Sequence, residues 1–364
     1  MRTVLTTKVT GRDVTAEGAG AKDVTARGVA AKAAAVVAVL VLTVGLAACG
    51  SDDEGAGGAD IVVTTNILGD VVRTIAGDDA EVEVVMPPSS NPHDFSPSAQ
   101  QAAAMRDAAV IVVNGRGFEE GLLDTVAAAE DDGATVITAT DGLPETDEHG
   151  EEVADTDHAE DDDHAEEDDH AEEDDHAEDD DHADEHAHDE DAHFFSDPVL
   201  MAAAVEHLAV ELRTHVPALD TDAFTERVDA YLDDLLALPT EVGDLLASVP
   251  EERRVLVTNH EVLGFFADRY GFEILGVIIP GGSTLAEPSA ADLDALADAI
   301  EEAGVPAIFA DTSSPARLAE ALAAEGTDVE VVELFTESLG EEGSGAETYL
   351  EMIRTNAEGI AAAL

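Results

Sequence analysis

Two α/β lobes, each with a mainly parallel sheet flanked by helices and joined by a long linking helix, form the fold class that this 364-residue sequence predicts. Three observations predict it. Short β-branched runs alternate with segments of helical period across residues 60–138. The same alternation returns across residues 254–364. Between them, about 50 residues carry helical spacing and no strand signal, against roughly a dozen for an average helix.

In the first lobe, residues 61–66 (IVVTTN) read as a buried strand, and 67–76 as a helix closed by Gly77. Residues 81–86 (EVEVVM) alternate as a second strand, ended by Pro87-Pro88, and 89–98 form a loop. A helix over 100–107, a strand over 109–113, a helix over 118–129 and a strand over 134–138 complete the lobe. In such sheets ligands bind beyond the carboxyl ends of the strands. The link holds a helix over 199–214 and a second from 220, with apolar residues at Phe224, Val228, Tyr231, Leu235 and Leu238. Pro239 is expected to kink or interrupt it. The second lobe reads as strands over 254–258, 272–279, 307–310 and 328–334. Its helices read as 262–269, 289–303, 315–325 and 348–364, with Ser289 as an N-cap.

The N-terminal region has the pattern of a targeting sequence. An apolar run over 33–48 follows Arg27 and Lys32 and ends in Leu46-Ala47-Ala48-Cys49. The run is short for a membrane span and has the shape of a signal-peptide core. Small residues before a Cys resemble the bacterial lipobox, in which that Cys becomes N-terminal and acylated. Cys49 is the only Cys, so no internal disulfide forms. The expected division is 1–48 signal peptide, 49–59 lipidated tether, 60–196 N-terminal lobe, 197–249 linking helices and 250–364 C-terminal lobe.

Within the first lobe lies a segment of another kind. Residues 145–193 hold 28 Asp or Glu, nine His and no Lys or Arg. His158, His164, His170, His176 and His182 recur every six residues, with His149, His186 and His188 around them. Such a segment buries no core and its like charges repel, so 145–192 is expected to be a disordered loop. Imidazoles among carboxylates ligate Zn²⁺ and similar ions, which makes these histidines a weak metal-gathering set. The whole chain has 16 basic and 83 acidic residues, a formal net charge of −67. Of those acids, 55 lie outside the segment, so the acidity is global. That charge excludes nucleic acid as a partner, because phosphates are repelled, and it suits capture of cations.

Four histidines stand outside the acidic segment: His93, His207, His215 and His260. His93 and His260 follow strand ends, where an α/β lobe presents ligands. His207 and His215 read as surface residues of the helical link. His193 ends the acidic segment just before Phe194-Phe195. Three such histidines with carboxylates and no Cys compose a site for Zn²⁺ or Mn²⁺, although their spacing makes no local motif. Glu261 beside His260 fits no zinc-peptidase helix, since Gly264 stands where a second His is required. Asp94 and Asp191, each near such a histidine, are candidates to orient imidazoles.

Several pieces, in order, carry a resemblance. They are Ile61 to Asn66 followed by Ile67 and Val71; Pro87-Pro88 with Asn91-Pro92-His93-Asp94-Phe95-Ser96-Pro97; Val112-Val113-Asn114-Gly115; and Asp191-Ala192-His193 with Asp197-Pro198. Thr258-Asn259-His260, Phe265-Phe266-Ala267-Asp268-Arg269-Tyr270-Gly271, Ala310-Asp311 and Phe335-Thr336-Glu337-Ser338-Leu339 before Tyr349-Leu350 follow. From residue 60 onward the chain resembles the zinc/manganese solute-binding lipoproteins of bacterial ABC importers. The resemblance implies a monomeric receptor, not an enzyme, anchored outside the cytoplasmic membrane by a lipid on Cys49. It implies delivery of Zn²⁺, or alternatively Mn²⁺, to an ABC permease, with family ties to cell adhesion. It also implies a metal site between the lobes, with His93, His193 and His260 as ligands. Glu337 stands where the family usually has Asp, and Asp311 is the alternative fourth ligand, otherwise expected to cap a helix or bridge the lobes. The His-rich insertion and the three-imidazole set favour zinc. An extracellular zinc buffer or adhesion protein, and a zinc hydrolase, are the competing classes.

Overall fold

The computed structural model describes residues 60–144, 191–324 and 329–364. The signal peptide, Cys49 with its tether, and the histidines His149, His158, His164, His170, His176, His182, His186 and His188 lie outside the described residues. Among the described residues no helix is long and apolar enough to cross a membrane.

The first sheet contains β1 (Ile61–Val63), β2 (Val82–Val84), β3 (Val110–Val113) and β4 (Thr135–Thr138), in the order β2-β1-β3-β4. All of its pairs are parallel, with Ile61 level with Val82 on one side and Val110 on the other. Helices α1 (Asn66–Ala76), α2 (Ala99–Asp107) and α3 (Leu123–Asp131) connect these strands. Thr65 caps α1 by accepting from the Leu68 amide, and Ser98 with Gln101 forms a capping box on α2. Helix α3 starts later than helical spacing suggests. Gly115, Arg116 and Gly117 take positive φ, which turns the chain before a helix can begin. Residues 118–122 are therefore loop, anchored by buried Glu119, whose Oε1 accepts from the Thr64 hydroxyl and the Asn114 amide, each at 2.6 Å.

The link comprises α4 (Pro198–His215) and α5 (Asp222–Leu246). Asp197 caps α4, with Pro198 in its first turn. Helix α5 runs through Pro239 without interruption, contrary to expectation. Packing offsets the lost hydrogen bond: Leu235, Leu238, Val242 and Leu246 form one buried stripe on both sides of the proline. That stripe packs among α4, α1 and the C-terminal helix.

The second sheet repeats the winding with β5 (Val255–Thr258), β6 (Glu273–Val277), β7 (Ala307–Asp311) and β8 (Glu330–Leu334), in the order β6-β5-β7-β8, again wholly parallel. Its helices are α6 (Gly264–Tyr270), α7 (Ala290–Ala303), α8 (Arg317–Ala324) and α9 (Tyr349–Ala363). Ser289 caps α7 and forms a capping box with Asp292. Gly271 and Gly304 end α6 and α7 in the left-handed conformation.

Side chains alternate across both sheets, as strand geometry requires. Ile61, Val63, Val110 and Val112 join the central core, while Val62, Ile111 and Val113 face an outer one under α2 and α3. In the second sheet Leu256, Ala307 and Phe309 join the same central core, and Val257, Ile308 and Ala310 face their own outer core. One apolar cluster thus runs from sheet to sheet through α1, α4, α5 and α9. Polar links cross it: Arg269 donates to both oxygens of Asp197, and Tyr349 donates its hydroxyl to the Phe195 carbonyl at 2.8 Å. The ends of the strands are thereby held toward one another across a narrow crevice.

Candidate metal centre

His93 leaves β2 through a loop in which the Asn91 side-chain oxygen accepts from the His93 amide at 2.9 Å. The imidazole is 2% exposed. Its Nδ1 lies 3.1 Å from Glu120 Oε1 and its Nε2 2.6 Å from Glu337 Oε1. His193 stands just before the short helical turn over Phe194–Ser196. Asp191 Oδ1 accepts both its amide, at 2.9 Å, and its Nδ1, at 2.7 Å. Asn114 donates to the Ala192 carbonyl and fixes the same loop to the end of β3. His260 follows β5 and is fully buried, with its carbonyl accepting from the Thr258 hydroxyl at 2.7 Å. Glu337 follows β8. The asparagines Asn66 and Asn356 hold its loop, Asn66 accepting from the Leu339 amide and Asn356 from that of Phe335.

These four residues come from two sheets and meet at one carboxylate oxygen. The Nε2 atoms of His93, His193 and His260 lie 2.6, 3.6 and 2.8 Å from Glu337 Oε1. One donor atom from each of the four residues lies within 4.8 Å of all the others. Phe118 closes the wall with its ring edge-on to His93 and His193, each 5.5 Å away.

The hydrogen bonding at this point is incomplete. His193 Nε2, both ring nitrogens of His260 and Glu337 Oε2 are buried without an aligned hydrogen-bond partner, although His260 Nε2 is within ion-pair distance of Glu337. Buried polar atoms are normally satisfied, so His193 Nε2, His260 Nε2 and Glu337 Oε2, orphaned around one point, fit a cation better than a core network. The electrostatics agree. Burial opposes charge on Glu337, but the imidazoles of His193, His260 and His93 outweigh it and hold the carboxyl well below its usual range. Burial likewise opposes charge on His193, yet Asp191 and Glu337 push its pKa up to about 9. A proton on His193 and the negative charge of Glu337 therefore balance one another inside the crevice.

Asp311 stays outside the cluster of four. Its Oδ1 accepts from the Ser313 amide at 2.7 Å and from the Ser313 hydroxyl. Its Oδ2 accepts from the Thr336 amide and hydroxyl, at 3.2 and 2.5 Å. Because α8 begins only at Arg317, Asp311 caps a turn and ties β7 to the Glu337 loop, rather than capping a helix or bridging lobes. Burial and the charge of Glu337 push its pKa up. His207 and His215 lie on α4, away from the cluster, and His215 is an exposed neighbour of Glu211. Asp94 is exposed, and the carboxylate on His93 comes instead from Glu120. The Glu119-Glu120 pair just beyond the carboxyl end of β3 is the sequence signal for it.

A family profile described as zinc-uptake complex component A, periplasmic (ZnuA) matches residues 61–363. The zinc-binding protein TroA of Treponema pallidum is 30% identical over 337 residues, which cover 91% of this chain and 97% of that one. The manganese-binding lipoprotein MntA of Halalkalibacterium halodurans is 27% identical over 326 residues, covering 88% of this chain and 94% of that one. The solved structure of the periplasmic zinc-binding protein TroA superposes with a TM-score of 0.66 at 27% identity, covering 83% of this chain and 98% of that one. The profile spans both sheets and all four residues that meet in the crevice: the chain belongs to the ZnuA family of periplasmic zinc-uptake components.

Proposed function

We propose that the protein is an extracytoplasmic receptor, held to the membrane by a lipid on Cys49, that captures Zn²⁺ and delivers it to an ABC import permease. The observation that carries this reading is the convergence of three imidazole Nε2 atoms on the buried Glu337 carboxylate. His93, His193, His260 and Glu337 are the proposed ligands. Both lobes contribute, so the ion is enclosed on all sides. A closed, four-donor site suits binding and leaves no position for a reacting water. No covalent step is asked of it. The anchored location is supported by the Leu46-Ala47-Ala48-Cys49 pattern and by the MntA relative, a lipoprotein by name.

Three nitrogen donors and one carboxylate favour Zn²⁺ over Mn²⁺, which prefers oxygen. Manganese is the second reading, because the relatives include a manganese-binding protein by name as well as a zinc-binding one. The histidines His149 to His188 are proposed to gather ions weakly. Calorimetric zinc titration of the protein lacking residues 151–190, with Mn²⁺ as competitor, tests the assignment. One tight zinc per chain is expected, undisplaced by excess Mn²⁺. Loss of the tight site with the segment would overturn the ligand set, and displacement by Mn²⁺ would overturn the choice of metal.

A further inference from the structure

Asn91 makes contacts that holding His93 does not require. Its side-chain oxygen serves the His93 amide, and its Nδ2 crosses the crevice to the other lobe. There it donates to the Thr284 hydroxyl at 2.8 Å and to the Ser314 hydroxyl at 2.9 Å. These partners lie on two different loops, one between β6 and α7 and the other between β7 and α8. The Thr284 loop also roofs the centre: a Cβ built on Gly282 would lie 3.8 Å from His193 Cε1. The opposite end of the roof is tied to the His260 loop, since Glu261 donates its amide to the Gly281 carbonyl at 3.2 Å and its carboxylate accepts from the Gly281 amide at 3.3 Å.

We propose that Asn91 is a positioning residue that latches the Thr284 and Ser314 loops over the captured ion and so sets how long the ion stays. The inference rests on the receptor reading above. One amide group, two residues from a metal-binding imidazole, both orients that imidazole's loop and fastens the other lobe. Leaving the site requires the roof to lift from His193, and the roof cannot lift while Thr284 remains bonded to Asn91.

The test removes the partners and leaves Asn91 and all four proposed ligands intact. The variant Thr284→Val/Ser314→Ala is loaded with one Zn²⁺ and mixed with a fluorescent chelator in a stopped-flow instrument. Loss of two neutral hydrogen bonds is expected to speed zinc release roughly tenfold, with the association rate changed by less than about twofold. The metal-free double variant should keep a single cooperative thermal transition; with Ser314 intact, Thr284→Ser, which keeps the hydroxyl, should release zinc at the wild-type rate and Thr284→Val faster. Release from the double variant at the wild-type rate overturns the latch and leaves the receptor reading standing. Equal loss from Thr284→Ser and Thr284→Val overturns it as well, because packing rather than the hydroxyl would then be responsible. Failure of the wild-type protein to take up one tight zinc overturns both.

Discussion

His93 and Glu337 are separated by 244 residues, yet His93 Nε2 and Glu337 Oε1 lie 2.6 Å apart in the crevice. The same oxygen serves His193 and His260, so one carboxylate carries the charge complement of the whole cluster. Glu337→Gln keeps the shape and removes that charge. Zinc affinity is expected to fall by more than about a hundredfold, beyond the roughly 10–100-fold typical of losing a residue that only orients a ligand. In the metal-free variant the pKa of His193 should move down, visible in the pH titration of its ring protons by NMR. An unchanged zinc affinity would remove Glu337 from the ligand set.

Acid should oppose loading in a defined window. His193 is pushed from 6.5 up to about 9, so it is protonated in the metal-free protein at neutral pH. Its contribution to metal-free stability is full below about 6.5 and is lost as the pH rises through about 9. A metal ligand must be neutral, so zinc uptake between these values expels a proton from His193. Apparent affinity is expected to rise by about tenfold per pH unit across the window and to flatten above it. Calorimetry at pH 7.5 in two buffers of different ionisation heat measures the proton directly; equal heats would contradict this account.

Asp311 should behave as a structural residue. Asp311→Ala strips partners from the Ser313 and Thr336 amides at a nearly inaccessible position. A loss of about 2–4 kcal/mol in urea unfolding is expected. The folded variant should still bind one zinc, more tightly than Glu337→Gln does. Abolished stoichiometric binding in a folded Asp311→Ala protein would instead make Asp311 a ligand.

The two carboxylates behind the histidines should differ in weight. Asp191 approaches His193 Nδ1 to 2.7 Å and also takes its backbone amide, whereas Glu120 sits 3.1 Å from His93 Nδ1 and is one-third exposed. Asp191→Asn is expected to weaken zinc binding roughly tenfold or more, and Glu120→Gln less. A reversed order, read from chelator competition, would show that proximity is not what sets their effect.

The central parallel strands are legible in the sequence because both of their faces are buried, which demands runs such as Ile61-Val62-Val63 and Val110-Ile111-Val112-Val113. Helix starts are legible where Ser98, Asp197, Ser289 and Thr348 supply a cap. The course of α5 through Pro239 is not, since local propensity opposes it and only packing on three other helices restores it. Nor is the loop over residues 118–122, where one buried hydrogen-bonded carboxylate overrides helical spacing. His93 and His260 stand out because they follow strand ends. Their approach to His193 and Glu337 depends on how two sheets face each other, which no local pattern encodes. Glu120 and the reach of Asn91 to Thr284 are long-range in the same sense.

Both sheets are wound entirely in parallel, so each helix that follows a strand begins at the end of the sheet where the ligand loops emerge. A helix start carries partial positive charge and ordinarily attracts anions. The scaffold therefore has a polarity opposite to its cargo, and Glu337, Asp191 and Glu120 invert it locally. Neutralising these carboxylates together would strip the attraction for metal from this one point and leave the helix starts there unopposed, on a molecule that stays strongly acidic everywhere else.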